Sequence, residues 1–150
     1  MLNFAYLKID YDGKSIDKYI KQVYPILEIL SYGAFSLSVD SVYKTKHGWH
    51  IYYNVKYIGE QLMHGDLLLL EALLGSDLRK EAICLVEGTN ILFEEKKGFK
   101  RKPDDISKKK IAKMLSNIYS HVHTYTNETI ILKRINDANV IIEKVKKMMK

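Results

Sequence analysis

From Trp49 onward the chain alternates with a period of two: Trp49, Ile51, Tyr53, Val55 and Tyr57 fall on one side, His50, Tyr52, Asn54 and Lys56 on the other. Such alternation predicts a half-buried strand, because successive strand side chains leave opposite faces. The preceding stretch, AFSLSVDSVY, sets Phe35, Leu37 and Val39 against Ser36, Ser38 and Asp40, a second half-buried strand. Lys46, His47 and Gly48 between the two predict a hairpin turn. Residues 2–11, LNFAYLKIDY, mix β-branched, aromatic and aliphatic types and run into the turn pair Asp12-Gly13, so they predict a further strand.

Elsewhere the period lengthens to that of a helix. Ser15 is placed to cap a helix with Asp17 in its first turn and Ile16, Tyr19, Ile20 and Val23 at helical spacing. Pro25 is expected to kink or restart that helix and Gly33 to close it. Residues 60–74 predict another helix, LRKEAICLV a continuation or a short third helix after Gly75-Ser76, and NILFEE a final strand. This order of elements predicts an α+β, ferredoxin-like split βαβ sheet over residues 1–97, with the fourth strand beside the first. Residues 98–150 form a basic, mainly helical extension expected to pack on or beside that core. Within it, EKKGFKRKPDD, which starts at the boundary, predicts an exposed connection, ISKKKIAKMLSNIY a basic amphipathic helix and YTNETIILKRI a strand or extended segment. A closing helix is expected to be capped near Asn136.

Charge divides the chain in the same place. Residues 1–95 hold 9 Lys/Arg against 13 Asp/Glu, a net −4, while residues 96–150 hold 15 against 5, a net +10. A basic half is a surface for polyanions, since neutralising phosphates releases counterions; the alternative is a solvated lysine face with no ligand. Cys84, the only cysteine, excludes an internal disulfide and is expected to be a buried, inert thiol. No basic and apolar leader is evident, and Glu71 interrupts the longest near-apolar run, Leu67–Leu74. A soluble protein of the host cytoplasm with no membrane partner is expected.

In a split βαβ sheet helices cover one face, so the polar set on the third strand should lie on the open face. Phe4, Tyr6, Lys8 and Asp10 of the first strand share that face. Antiparallel pairing then brings Asp10 and Asp12 beside His50. Two carboxylates suit Mg2+ or Mn2+, which take oxygen ligands beside phosphate. Glu87, at the expected start of the fourth strand, is a third candidate. His50 could serve as general base or phosphate donor and Lys56 as a phosphate contact. Tyr6 and Tyr52 could stack bases, and Lys97, Lys100, Arg101, Lys102, Lys108, Lys109 and Lys110 could hold the backbone. An Asp-Gly turn and a sheet-surface histidine need no ligand, which is the plain alternative.

The segments KIDYDG and KTKHGWHIYY resemble the first two motifs of the archaeo-eukaryotic primase superfamily, a hydrophobic-Asp-x-Asp segment and a glycine-containing turn leading to a histidine-bearing strand. The resemblance implies metal-binding carboxylates at Asp10 and Asp12 and a nucleotide-contacting His50. No third-motif aspartate ends the last strand. The stretch ALLGSDLRKEAICLVEGTNILFEEK is also similar to small uncharacterised proteins of archaeal viruses and plasmids. A separate pair, His121 and His123 in HVH, resembles the metal-chelating motif of rolling-circle replication endonucleases if it lies on a strand, but Tyr125 is the only tyrosine after it.

Three function classes follow. The first is a viral or mobile-element protein acting on nucleic acid, DNA ahead of RNA, as a metal-dependent nuclease or primase-related nucleotidyl-transfer domain. The second is a non-catalytic nucleic-acid-binding module. The third is a scaffold or host-interaction protein that dimerises through the open sheet face.

Overall fold

A computed structural model of the chain describes residues 2–32, 35–124 and 128–149, with the side chains of 121–135, 137 and 138 outside that description. Gly33, expected to end the first helix, and Tyr125 lie outside the described residues. Strand β1 (Leu2–Tyr11) leads through α1 (Ile16–Tyr32) to β2 (Phe35–Lys44) and β3 (Trp49–Ile58). Helices α2 (His64–Leu73) and α3 (Leu78–Glu87) follow, then the two-residue strands β4 (Glu95–Lys96), β5 (Phe99–Lys100) and β6 (Lys102–Pro103), and finally α4 (Asp105–Thr124) and α5 (Glu128–Met148). The result is an α+β protein whose antiparallel sheet has the order β1-β3-β2-β6, with β4 and β5 as a separate ribbon. Among the described residues no helix is long and apolar enough to cross a membrane.

Local chemistry explains most of these elements. Ser15 Oγ accepts from the N–H groups of Asp17 and Lys18 at 3.1 and 3.4 Å, capping α1 as its position predicts. The helix then runs through Pro25 without ending, so it does not restart there. A proline in a helix interior costs about 3 kcal/mol. Burial of Ile16, Tyr19, Val23 and Leu27 along one stripe outweighs that, at roughly 1.5–3 kcal/mol for each large apolar side chain. Against this stripe stand Leu7 and Ile9 of β1 and Ile51, Tyr53 and Val55 of β3, all buried. The hydroxyls of Tyr19 and Tyr53 meet inside the core at 2.9 Å, so neither is left unsatisfied.

One irregularity matters for the site. The β2–β3 register shifts between Val39 and Ser41, leaving Asp40 as an extra residue. Strict alternation from Phe35 would have turned Val42 away from the core; the bulge returns it there and places Tyr43 opposite His50.

Several expectations are corrected. NILFEE is not a strand beside β1: residues 90–94 have no regular structure, and only Glu95–Lys96 pairs, with Phe99–Lys100. Three side chains and the main chain of Asp77 close that edge instead. Glu71 Oε2 accepts from Lys8 N–H at 2.6 Å, Lys80 Nζ donates to Lys8 O at 2.9 Å, Ser76 Oγ accepts from Asp10 N–H at 2.9 Å, and Asp77 N–H donates to Asp10 O at 2.7 Å. With those groups satisfied, a fourth strand has nothing to bond over Lys8–Asp10. YTNETIILKRI is helical from Glu128, so Asn136 lies inside α5 rather than at its cap. His121 and His123 lie on the helical backbone of α4, so the strand geometry that their chelating reading requires is absent.

Two compact units divide the chain, Met1–Ile118 and Tyr119–Lys150. The first takes in most of α4, whose inner stripe, Ile111, Met114, Leu115 and Ile118, is buried as its amphipathic pattern predicts. Asp104 anchors the start of α4, accepting from Trp49 Nε1 at 3.0 Å and from Ser107 N–H at 3.1 Å.

Candidate functional site

The β1–β3 register sets Asp10 opposite His50, Lys8 opposite Tyr52, Tyr6 opposite Asn54 and Phe4 opposite Lys56. These residues share one sheet face, as their even spacing predicts. Asp10 Oδ1 and His50 Nε2 lie 3.6 Å apart at one end of it. They border a cleft of about 350 Å3, to which the hairpin contributes Lys46 and His47, α3 contributes Arg79, Lys80 and Glu87, and the following segment contributes Phe93, Lys96 and Arg101. Asp12 and Asp77 also line it. Glu87 therefore reaches the cleft, but from the last residue of α3 rather than from a strand.

The face is open over only half its length. Arg101, expected in an exposed loop, lies over the sheet: its guanidinium donates to His50 Nδ1 at 3.1 Å and to the Tyr52 hydroxyl. It also sits 4.0 Å over the Tyr43 ring, and its main-chain N–H donates to Glu94 O at 2.8 Å. An arginine fork suits this position because it bonds in its plane while stacking through its face. Tyr52 is consequently buried between Arg101 and Tyr6, whose rings stack with centroids 5.6 Å apart, and it has no face free for a base. Tyr6 is partly exposed, and its hydroxyl donates to Asp40 Oδ2 at 2.8 Å. Burial first, then Asp40, pushes the Tyr6 hydroxyl up to about 12.

Lys56 is exposed, yet six residues along β3 from His50 it stands about 20 Å away and takes no part in the cleft. Lys97, Lys100 and Lys102 are exposed on the hairpin and β6, and Lys109 and Lys110 on α4, where Lys110 pairs with Asp17 at 3.2 Å; Lys108 is half-buried.

Arg101 also fixes the state of the imidazole. A guanidinium only donates, so His50 Nδ1 accepts and the proton sits on Nε2, facing Asp10. Burial, with the charges of Arg101 and Lys80, holds the imidazole down to about 4. Near neutral pH His50 is thus a donor toward the cleft and not a base. Partial burial, with Asp12 and Asp77 close by, pushes the Asp10 carboxyl up to about 6. A proton, a cation or a phosphate-bound cation relieves that crowding.

An NMR titration of the histidine ring nitrogens should find His50 neutral, with its proton on Nε2, until about pH 4. Because folding lowers its pKa, the unfolded chain takes up this proton first; the His50 contribution to stability is therefore lost as pH falls from about 6.5 to about 4. A midpoint near 6.5 would mean that the ring is neither buried nor held by Arg101.

Among the described residues no three His, Cys, Asp or Glu side chains converge closely enough to enclose a metal ion. Asp10 and Asp12 would hold Mg2+ or Mn2+ with two carboxylates, leaving the remaining positions to water and phosphate. Mg2+ accepts that arrangement because it keeps several waters and commonly binds one or two carboxylates plus substrate phosphates. Comparison of the chain with family models, with curated proteins and with solved structures returns no match.

Proposed function

We propose that this chain binds nucleic acid and acts on its phosphodiester backbone at the cleft between Asp10 and Arg101. The observation that carries the reading is the meeting of the basic segment with the acidic strand end: Arg101 bonds the imidazole whose other nitrogen faces Asp10 at 3.6 Å. A phosphate entering the cleft meets Lys46, Arg79 and Lys96 along its walls and the His50 Nε2–H at its end. Asp10 and Asp12 hold the divalent cation, which when bound polarises a phosphoryl oxygen and lowers the pKa of a bound water. Lys97, Lys100 and Lys102 extend the positive surface along which a backbone can lie. DNA is the first substrate class and RNA the second.

The β1-β3-β2 order supports a finer reading of the fold as a ferredoxin-like sheet whose fourth strand is replaced by side chains and the main chain of Asp77. With it goes a primase-related, viral or mobile-element protein working inside its host cell. Labelled single- and double-stranded DNA and RNA incubated with Mg2+ or Mn2+ test the function. The expected result is divalent-dependent cleavage, reduced about a hundredfold or more in Asp10→Asn/Asp12→Asn. Binding without turnover supports the second reading, a non-catalytic module, which the proton on His50 Nε2 favours because the imidazole is then not available as a base. Neither binding nor cleavage would overturn both.

A further inference from the structure

β1 is an edge strand, and its two halves differ. From Lys8 to Asp10 the outward main-chain groups meet Glu71, Lys80, Ser76 and Asp77. Strand alternation turns the N–H and C=O groups of Leu2, Phe4 and Tyr6 the same way. Among the described residues these meet no partner. Leu2–Leu7 carries no charge, proline or glycine, the devices that normally blunt an edge. Leu2 and Phe4 are 57% and 68% exposed, and Ile58, opposite Leu2 on β3, is 66% exposed.

We propose that the Leu2–Tyr6 edge pairs antiparallel with the same edge of a second copy, joining two sheets across a twofold axis. The register follows from which groups are free. Outward groups sit on even positions, and those of Lys8 and Asp10 are already bonded. Pairing Phe4 with Phe4 of the second copy, and Leu2 with its Tyr6, therefore uses every free group and no occupied one. Centring the axis one residue later would set Leu2 against a bonded Lys8. The strip is uncharged, and about a twofold axis its main-chain donors and acceptors are their own complement, so two chains of net charge +6 can meet there without placing like charges opposite one another. The open face is a poorer interface, since exposed Ser36, Ser38, Asn54 and Lys56 interrupt its apolar Leu2, Phe4 and Ile58. Phe4 and Tyr6 are already partly covered, at 68% and 39% exposure, so pairing buries only a fraction of the roughly 150–250 Å2 an aromatic side chain can bury, which makes this a small contact and a weak dimer.

Sedimentation velocity from low-micromolar to several-hundred-micromolar chain tests the pairing. Wild type should pass from one chain to two as concentration rises. Phe4→Pro should stay monomeric with its circular dichroism and melting temperature retained, because proline removes only an outward donor and is tolerated on an edge. If that variant does not fold, Phe4→Lys, which sets two charges opposite each other, should weaken dimerisation by about tenfold or more. A wild type that stays monomeric throughout, or variants that dimerise as wild type does, would overturn the proposal.

Discussion

Replacing Lys80 with methionine should cost about 3–5 kcal/mol at neutral pH, the range for removing one partner of a buried charge cluster. Lys80 Nζ donates to Glu71 Oε1 at 3.1 Å, Glu81 Oε1 at 2.8 Å and Asn90 Oδ1 at 2.7 Å, besides the carbonyl of Lys8. Glu71 is fully buried, and the second oxygen of Glu81 is buried without a hydrogen-bond partner among the described residues. Without the ammonium, two carboxylates face each other in a site closed to water. Burial already pushes the Glu81 carboxyl up to about 6. Protonation at lower pH neutralises the surplus charge, so the deficit of the variant should shrink between pH 7.5 and pH 5. Urea unfolding at the two pH values measures both effects. A loss below about 1 kcal/mol at pH 7.5 would mean that the network does not hold the β1 edge.

Gly48→Ala should be nearly as damaging, at about 2–4 kcal/mol. A β-carbon on Gly48 would stand 1.8 Å from the carbonyl oxygen of Tyr11 and 3.0 Å from Cα of Asp12. Both neighbours are backbone, so no side chain can rotate away. Relief requires the hairpin tip to part from the end of β1, separating His50 from Asp10 and opening the cleft. Gly65→Ala is the control: its nearest neighbour is Leu85 Cδ1 at 3.9 Å, an ordinary contact. In the first turn of α2 the alanine should leave stability unchanged or raise it by up to about 1 kcal/mol. Thermal melts of both variants decide the matter, and equal melting temperatures would contradict the close approach at Gly48.

How far the site was legible in the sequence depended on whether local pattern or distant contact set each residue. The alternation from Trp49 to Tyr57, the Ser15 cap and the Lys46–Gly48 hairpin depend on neighbours in sequence, and each formed as its pattern predicts. The Asp10–His50 pairing followed from these, because an antiparallel β1–β3 ladder brings those two ends together. Arg101 depended on distant residues. In KKGFKRK it looked like one more exposed cation, although it is one of only three arginines beside 21 lysines. An arginine kept among so many lysines is the signal for planar, stacked bonding that was there to be read.

Glu71 was visible as a lone carboxylate in LLLLEALL, but its role needed the edge of β1, which was assigned to NILFEE. The propensity of Ile91, Leu92 and Phe93 for strand was overridden because Glu71, Ser76, Asp77 and Lys80 had taken the hydrogen bonds a strand there would make. Tyr43 was hidden by the bulge at Asp40, which reverses the alternation midway along β2. The segment after Tyr125 failed differently. Its β-branched residues suggested a strand where α5 forms, a reminder that β-propensity is a weak guide without its sheet neighbours.

The most direct measurement of the central claim is the affinity of wild type and Asp10→Asn/Asp12→Asn for a fluorescent DNA oligonucleotide, with Mg2+ and with chelator. If Asp10 and Asp12 bridge a phosphate through a cation, their loss weakens binding in Mg2+. In chelator the same change strengthens binding, since two negative charges facing the backbone are gone. The predicted result is this reversal of sign. Equal affinity of the two proteins under both conditions would contradict the account, because the cleft would then lie off the path of the nucleic acid.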